Sequence, residues 1–321
     1  MPSTIIKAVY LDGASLQADK QIFTPLINLF SEWQCHPQTK PSEIIERLQG
    51  AHVVICNKSP ISQEVIEACP ELRLILVTAT GTNNVDLIAA KQHNITVCNC
   101  RGYGTEAVSQ HTLMLMLALA TRLIDYNNAV AAGEWQQSTN FCLMNYPIIE
   151  LAGKTLGIIG YGELGQAVAK LAEAFGMKVL IGQIPNRPIR NNTIPLSELL
   201  PQVDVLTLHC PLTEDTKNLL AEKELRLMKK EALLINAARG GIINEQDLAS
   251  VLKSGHLGGA ATDVLTVEPP KEGNPLLDPS IPRLIITPHC AWATKEAQQR
   301  IVEQVTENTK AFLAGNPIRT V

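Results

Sequence analysis

Three segments of the sequence each place a side chain able to do chemistry just after or beyond a run of apolar residues. Arg239 follows ALLINAA, Glu268 lies within DVLTVEPP, and His289 follows RLIITP. Histidine suits proton transfer because its unperturbed pKa is near neutrality, and a nearby carboxylate can orient the ring and favour its charged form. A guanidinium binds carboxylate and carbonyl oxygens through paired hydrogen bonds. Together the three predict proton transfer on a small substrate that carries a carboxylate and a carbonyl or hydroxyl oxygen.

A second pattern, upstream of these residues, is typical of a nucleotide-binding turn. Gly160, Gly162 and Gly165 form G-x-G-x-x-G between the apolar run TLGII and an amphipathic segment. The first glycine permits a tight turn, the second lets a pyrophosphate approach the backbone, and the third lets helix and strand pack closely. The helix N-terminus then offers N–H groups and a partial positive charge. The pattern predicts a dinucleotide site.

The residue that would select between dinucleotides departs from the usual pattern. Gln183 stands where such sites carry an acidic residue that binds the ribose hydroxyls. Losing the carboxylate removes its repulsion of a 2′-phosphate, and Arg187 or Arg190 in the following loop could bind that phosphate. Alternatively, both arginines are simply solvated. The choice between NAD and NADP stays open, with Gln183 and Arg187 favouring NADP or dual use.

The elements that would position these residues are short apolar runs alternating with helix-length amphipathic segments. The runs are apolar at successive positions, as in parallel strands covered on both faces, so we predict a doubly wound α/β architecture. Four strands fit one small sheet, and six after Gly153 fit the dinucleotide-binding fold. The predicted strands are 5–11, 53–57, 72–78, 95–99, 155–159, 178–181, 203–209, 232–236, 259–263 and 284–287. The predicted helices are 62–69, 84–93, 164–175, 245–253 and 294–314, and 182–195 is predicted to be a loop.

Composition narrows the classes of protein. The chain has 321 residues, 45% hydrophobic and 18% charged residues, and a net charge of −4. This charge predicts no nucleic-acid or membrane partner. The apolar run 113–120 is too short for a bilayer, and no export signal is visible, so we expect a cytoplasmic protein. The eight cysteines have no metal-site spacing, so we expect reduced thiols and no structural metal.

Taken together, these motifs identify a family resemblance. The chain resembles the D-isomer-specific 2-hydroxyacid dehydrogenases along essentially its whole length. The matching segments are LAGKTLG and the glycine turn (151–165), HCPLT (209–213), NAARGG (236–241), DVLTVEP (263–269) and TPH (287–289). Within the family it is most similar to bacterial glycerate dehydrogenases, also called hydroxypyruvate reductases, in ATGTNNVD (79–86), CNCRGYGT (98–105) and Phe141-Cys142.

The resemblance implies a two-domain enzyme that moves hydride between NAD(P) and a small 2-hydroxy acid. A Rossmann-type doubly wound sheet would form the dinucleotide-binding domain (101–289). A smaller flavodoxin-like α/β domain (1–100 with 290–321) would bind substrate. The expected substrate pair is D-glycerate and hydroxypyruvate, with glyoxylate as a further keto acid.

The family's functional roles fall on matching positions of this chain. Arg239 would bind substrate, His289 would be the acid/base and Glu268 its partner. Thr80 and Gly81 would present backbone N–H groups to the substrate carboxylate. The implied cofactor contacts are Glu163 and Leu164 at the pyrophosphate, Cys210 and Pro211 at the adenosine, Asp263 at the nicotinamide carboxamide, and Ala237 and Ala238 lining that pocket.

Partners and alternatives also follow from the resemblance. It implies a homodimer built around the nucleotide domain, with the segment near Trp135 crossing to the partner. Another substrate, such as D-lactate or 3-phosphoglycerate, stays open, as does a nucleotide-sensing protein like the family's co-repressors. Formate is disfavoured because the formate enzymes carry Gln at the position of Glu268. His111, on a predicted apolar helix, is interpreted as a packed or capping residue.

Overall fold

The chain forms two compact units. The computed structural model describes residues 6–17, 20–187 and 192–321. The first unit comprises residues 1–104 together with 293–321, and the second comprises 105–292. These divisions lie a few residues from the predicted boundaries of 1–100 with 290–321 and 101–289. Each unit has its own sheet and its own apolar core.

The first unit is built on a five-stranded parallel sheet. Its strands are β1 (Lys7–Tyr10), β2 (Glu32–Cys35), β3 (Val53–Cys56), β4 (Leu74–Val77) and β5 (Thr96–Cys98). They lie in the order β2-β1-β3-β4-β5, which is the flavodoxin-like order. Strand β2 was not predicted, because this edge strand, EWQC, is mostly exposed and has no apolar run.

The second unit is built on a seven-stranded parallel sheet. Its strands are β6 (Thr155–Ile159), β7 (Lys178–Gly182), β8 (Thr193–Ile194), β9 (Val205–Leu208), β10 (Leu233–Asn236), β11 (Gly259–Thr262) and β12 (Leu284–Ile286). Their order is β12-β11-β10-β9-β6-β7-β8, a Rossmann-type arrangement. The predicted fold class is confirmed. The prediction of a continuous loop over 182–195 was wrong, because β8 pairs there with β7 over two residues, too short to leave a pattern in the sequence.

The α-helices of the described residues follow the strands in alternation. They are α1 (Thr24–Ile27), α2 (Ile44–Arg47), α3 (Gln63–Ala68), α4 (Leu87–Gln92), α5 (Thr105–Ala120), α6 (Leu123–Ala131), α7 (Glu163–Ala174), α8 (Leu196–Leu199), α9 (Glu222–Leu227), α10 (Glu245–Lys253) and α11 (Lys295–Leu313). Several begin at a side chain that accepts a hydrogen bond from the first turn, as Asp86 does for α4 and Asn244 for α10. Thr294 does the same for α11, which packs on α1 and β4 of the first unit.

Both faces of the second sheet are covered. Leu115, Met116 and Leu119 of α5 pack on one face, and Leu248 and Leu252 of α10 belong to the core on the other. Burial on two faces explains why the strands are apolar at successive positions. The strands also end level: Gly182, Ile159, Leu208, Asn236, Thr262 and Ile286 are paired in register across six neighbouring strands.

No single α-helix among the described residues is long and apolar enough to cross a bilayer. Helices α5 and α6 meet the criteria of length and composition only as a pair, and the chain bends by 60° between them.

Candidate active site

The level strand ends bring the predicted residues of the second unit to one edge of its sheet. The residues directly after the six paired strand ends are Gln183, Gly160, His209, Ala237, Asp263 and Thr287. Each belongs to, or begins, a segment predicted to bind the cofactor or to take part in the chemistry. Ligands of open α/β sheets bind outside this carboxyl edge, so the register collects the predicted cofactor and acid/base residues where a ligand is expected.

His289 and Glu268 form a direct pair. Nδ1 of His289 lies 2.5 Å from Oε2 of Glu268, and both side chains are about one-third exposed, at 32% each. The other carboxylate oxygen of Glu268 accepts the N–H of Leu265 at 2.8 Å. Since Glu268 is anchored to its own loop, it fixes the plane and direction of the imidazole. In the described residues no hydrogen bond occupies Nε2 of His289, which leaves that nitrogen for a ligand.

The backbone of His289 is in an uncommon conformation. Its φ is +52°, in the left-handed region that non-glycine residues enter at a cost of roughly 1–2 kcal/mol. The N–H of His289 bonds the carbonyl oxygen of Asp263 at 2.8 Å. The next two N–H groups, of Cys290 and Ala291, bond the Asp263 carboxylate at 3.0 and 2.9 Å. One residue therefore holds the whole turn.

Asp263 is 1% exposed. Besides the two N–H groups, its Oδ1 accepts the hydroxyl of Thr287 at 2.5 Å. Four donors, counting the one at the carbonyl oxygen, satisfy a buried acidic residue without a counter-charge. The predicted contact of Asp263 with a nicotinamide carboxamide stays a prediction.

Arg239 lies on the loop after β10, next to the strand that leads to Glu268. Its side chain is exposed, and Nη1 bonds the neighbouring Ala238 carbonyl at 2.7 Å. Asn236 closes the loop by bonding Ala238 N–H and the Arg239 carbonyl. A Cβ at Gly240 would overlap the backbone of Leu265, so the Arg239 loop packs directly on the loop that holds Glu268.

The glycine turn has the three properties expected of it. Gly160 has φ +98°, and a Cβ there would lie 2.5 Å from Cys210 N and 2.6 Å from the His209 carbonyl oxygen. A Cβ at Gly165 would overlap the Gly160 carbonyl oxygen, which accounts for the close contact of α7 with β6. At Gly162 a Cβ would meet nothing within 4 Å. The backbone before α7 is therefore open to a ligand, as pyrophosphate binding requires.

Glu163, predicted to meet the pyrophosphate, already has a partner. Its carboxylate accepts the hydroxyl of Thr105, the first residue of α5, at 2.5 Å. Leu164 is half-buried and packs against the cluster of Val108, Ala237 and Ala291, with its backbone in the first turn of α7. Ala237 and Ala238 are buried next to the Arg239 loop.

The residues expected to select the cofactor lie around the end of β7. The N–H of Gln183 bonds the Ile194 carbonyl at 2.8 Å, and Arg187 is exposed on the following turn. Burial raises the pKa of the Cys210 thiol to about 11, and the Arg187 guanidinium acts against that rise. Arg187 is thus close enough to Cys210 for an electrostatic effect, with exposed Pro211 beside it. Arg190 lies outside the described residues.

Thr80 and Gly81 are in the first unit, on the loop after β4. Asn99 holds this loop through the Thr80 carbonyl at 2.8 Å, and Cys100 bonds the Ala79 carbonyl at 3.0 Å. Neither the Thr80 nor the Gly81 N–H donates a hydrogen bond within the described residues. Successive free N–H groups of this kind suit an anion.

His111, interpreted from the sequence as a packed or capping residue, contacts the segment that leads to His289. Its Nε2 lies 3.0 Å from the Thr287 hydroxyl and 3.6 Å from Oδ1 of Asp263. The ring nitrogen of His111, a carboxylate oxygen of Asp263 and the sulfur of Cys290 lie within 4.8 Å of one another. The Asp263 oxygens already accept hydrogen bonds from the chain. The signal was available: His111 lies on the helix face of Val108 and Leu115, and a polar group on a buried face requires a partner.

Comparison with known proteins finds one matching family model and several similar proteins. Residues 113–291 match the model of the "D-isomer specific 2-hydroxyacid dehydrogenase, NAD binding domain". A glycerate dehydrogenase of Methylorubrum extorquens is 46% identical over 316 residues, covering 98% of both chains. A hydroxypyruvate reductase of Blautia hydrogenotrophica is 41% identical over 287 residues, covering 88% of both. The crystal structure of the TT0316 protein of Thermus thermophilus superposes with a TM-score of 0.87 at 32% identity, covering 98% of this chain and 100% of that one.

Proposed function

Because the chain belongs to the D-isomer-specific 2-hydroxyacid dehydrogenases, a family of nicotinamide-dependent oxidoreductases, we propose that it interconverts D-glycerate and hydroxypyruvate. The observation that carries the proposal is the His289–Glu268 pair, at the same sheet edge as the dinucleotide-binding turn. The names of the two relatives supply the substrate. Glyoxylate is a further keto acid of the same chemistry.

The second unit fits a nicotinamide dinucleotide. The open backbone at Gly162 and the first turn of α7 would hold the pyrophosphate, and the cofactor, when bound, accepts or supplies the hydride. Buried Ala237 and Ala238 would line the nicotinamide side. Their small side chains leave room for a ring beside the loop of Arg239.

His289 would move the proton. With its Nδ1–H donating to Glu268, Nε2 takes the hydroxyl proton during oxidation and returns it to the carbonyl oxygen during reduction. Glu268 stabilises the imidazole ring while it is protonated. Oxidation requires the neutral ring and reduction the protonated ring, so the two directions should respond to pH in opposite senses.

Anchoring of the substrate would fall to Arg239 and to the loop of Thr80 and Gly81. The exposed guanidinium can bind the 2-oxygen and the carboxylate, and it stabilises the charge that develops on the carbonyl oxygen during reduction. The free N–H groups of Thr80 and Gly81 support binding of the carboxylate. Within the second unit, Arg239 would neutralise the substrate's charge while His289 transfers its proton.

We further propose that NADPH is accepted, through Arg187. Gln183 offers no carboxylate that would repel a 2′-phosphate. Arg187 follows it on the same loop, and its positive charge acts on Cys210. Arg187→Ala should raise KM for NADPH about tenfold or more, the scale of one charge-assisted contact, with little change for NADH. An equal rise for both cofactors would contradict the assignment. Lys178→Ala, also a lost cation but at the start of β7, is the matched control.

A homodimer through the second unit is the proposed assembly. Large apolar side chains lie exposed in and after α6, including Trp135 at 52%, Phe141 at 91% and Met144 at 82%. The Trp135 indole N–H bonds the Phe141 carbonyl at 2.9 Å, so this segment is ordered while it exposes apolar surface. Light scattering during gel filtration should give twice the 34.9 kDa chain mass. Phe141→Asp should shift the protein towards monomer, and a monomeric mass for the unmodified chain would reject the dimer.

The central experiment is a matrix of hydroxypyruvate, glyoxylate and pyruvate, each assayed with NADH and with NADPH. The proposal predicts the highest kcat/KM with hydroxypyruvate, because one relative is named a hydroxypyruvate reductase and the other a glycerate dehydrogenase. Higher kcat/KM with pyruvate would reassign the substrate. Absence of turnover in all six combinations, with cofactor binding intact, would favour a nucleotide-sensing protein.

A further inference from the structure

The turn of His289 is supported by a chain of contacts that reaches across the second unit to α5. Asp263 accepts the three consecutive N–H groups of the turn, as described above. Its carboxylate is in turn bonded by the Thr287 hydroxyl at 2.5 Å, and that hydroxyl lies 3.0 Å from His111 Nε2. The chain of contacts is therefore His111, Thr287, Asp263 and the turn of His289.

Hydrogen-bond chemistry fixes the direction of this chain. A carboxylate can only accept, so the single hydroxyl proton of Thr287 is donated to Asp263. The Thr287 oxygen must then accept from His111, which places a proton on His111 Nε2. His111 thus helps to hold the Thr287 hydroxyl in one rotamer. Without this donor the hydroxyl would be freer to rotate.

We infer that His111 is a positioning residue for the acid/base histidine, acting through Thr287 and Asp263; the inference rests on the proposed role of His289. The left-handed backbone of His289 persists only while its surroundings enforce it. When the carboxylate of Asp263 loses its orientation, the turn relaxes and the ring leaves its short contact with Glu268. The ring then loses the stabilisation of its charged form.

This role differs from simple packing. A phenylalanine at position 111 fills a similar volume but donates no hydrogen bond, whereas glutamine carries a donor near the position of Nε2. If packing alone matters, Phe and Gln should behave alike. If the hydrogen bond matters, Gln should rescue what Phe loses.

The test compares His111→Phe and His111→Gln in oxidation of D-glycerate as a function of pH. In His111→Phe we expect kcat to fall on the order of tenfold, the scale of a lost buried hydrogen bond, and the acid limb of kcat/KM to move to lower pH. His111→Gln should restore both values towards those of the unmodified enzyme. Among the described residues, the other charged or titratable groups on the turn and on the loops packed against it include Glu268, Asp263, Cys290, Arg239 and Glu245, and all are unchanged in these variants.

His256→Phe is the control. His256 is half-buried in the same unit, and its Nε2 bonds the Met228 carbonyl at 3.1 Å, at the far end of α10. This variant should lose a comparable amount of stability without moving the acid limb. NADPH affinity and thermal unfolding, measured on each variant, separate loss of folded protein from loss of positioning.

A second pair, Thr287→Val and Thr287→Ser, tests the middle of the chain of contacts without altering α5. Valine should shift the limb as His111→Phe does, and serine, which keeps the hydroxyl, should not. An unmoved limb in both His111→Phe and Thr287→Val overturns the inference, as does failure of His111→Gln to rescue. His289→Ala, assayed alongside, distinguishes failure of the proposed acid/base role of His289 from failure of the positioning role of His111. If it keeps its turnover, the acid/base role falls and takes this inference with it; if it is inactive, an unmoved limb counts against His111 alone.

Discussion

Strands β9 and β12 of the same sheet end in segments built from the same three residue types. His209, Cys210 and Pro211 follow β9, and the order Pro, His, Cys follows β12 at 288–290. Both segments lie at the carboxyl edge, where ligands of such sheets bind. Only the second holds an imidazole paired with a carboxylate.

The segment after β9 is packed inwards. Its backbone lies against Gly160, where a Cβ would approach Cys210 N to 2.5 Å. Burial lowers the pKa of the His209 imidazole to about 4. Nε2 of the ring lies 3.0 Å from the Thr207 hydroxyl, and Nδ1 has no partner among the described residues. This histidine is neutral at physiological pH and supports the floor of the glycine turn.

The segment after β12 is turned outwards by its backbone. The φ of +52° at His289 projects the ring to Glu268, and Cys290 is exposed beside it. The difference between the two segments therefore comes from their neighbours. The segment after β9 packs closely against Gly160, whereas the segment after β12 is hydrogen-bonded to Asp263 and Glu268 and stays partly exposed. Residue type alone does not assign a catalytic role.

The largest expected effect that tests this comparison is on turnover. His289→Ala should reduce kcat by about 10²–10⁴-fold, the scale of general acid–base catalysis, while cofactor affinity is retained. His209→Gln, its counterpart after β9, should keep most of its turnover because its ring does not reach the acid/base pair. Steady-state rates and NADPH fluorescence titrations measure both. Comparable losses of kcat in the two variants would break the distinction between the segments.

The next effect concerns the packing of the β9 segment. Gly160→Ala should lower the free energy of unfolding by about 3 kcal/mol, because the residue has φ +98° and its Cβ would overlap backbone atoms. Gly162→Ala is the matched control, since a Cβ there meets nothing within 4 Å. It should leave stability within about 0.5 kcal/mol yet weaken cofactor binding. Urea unfolding and cofactor titration check both, and equal destabilisation would refute the assigned packing roles.

The sequence was sufficient for the family, the fold class and the alternation of the long elements. Repeated apolar runs marked both sheets, and the strand over 155–159 and the helix over 245–253 were predicted at their observed bounds. The predicted family resemblance is confirmed by the relatives. What escaped were β2, whose residues are mostly exposed, and β8, which has two residues. Neither leaves the buried apolar run on which such prediction depends.

The candidate site shows the same limit at finer scale. Motifs identified His289 and Glu268, but not the left-handed backbone of His289 or the three bonds of its turn to Asp263. His111 was undervalued because its partner, Thr287, is far away in the sequence. Contacts between distant segments depend on sheet order and register, which local patterns do not contain.

A smaller effect concerns stability in mild acid. The folded-state pKa of His209, about 4, lies below the unfolded value near 6.5. The stability associated with its neutral ring is therefore complete above pH 6.5. It is lost as pH falls towards 4, because the unfolded chain binds a proton that the folded chain does not. Between pH 7 and pH 5 this group should cost about 2 kcal/mol of the free energy of unfolding. Urea unfolding of His209→Gln should show a pH dependence shallower by that amount. Parallel curves for the variant and the unmodified chain would mean that the ring is not buried neutral.

The smallest effect tests the same contrast on the cysteines without altering either segment. Burial raises the pKa of both thiols, of Cys210 to about 11 and of Cys290 with a further rise from the Asp263 carboxylate, so neither is a thiolate at neutral pH. They differ in access: Cys210 is 3% exposed, whereas Cys290 is on the surface. Alkaline pH increases the reactive thiolate fraction of an accessible thiol, so after iodoacetamide at about pH 9 peptide mass spectrometry should find Cys290 labelled on the native protein. Cys210 should label only after unfolding, because a buried thiol reacts only when the chain opens. If both label at one rate, the β9 segment opens as readily as the β12 segment, and packing against Gly160 cannot be what keeps His209 neutral.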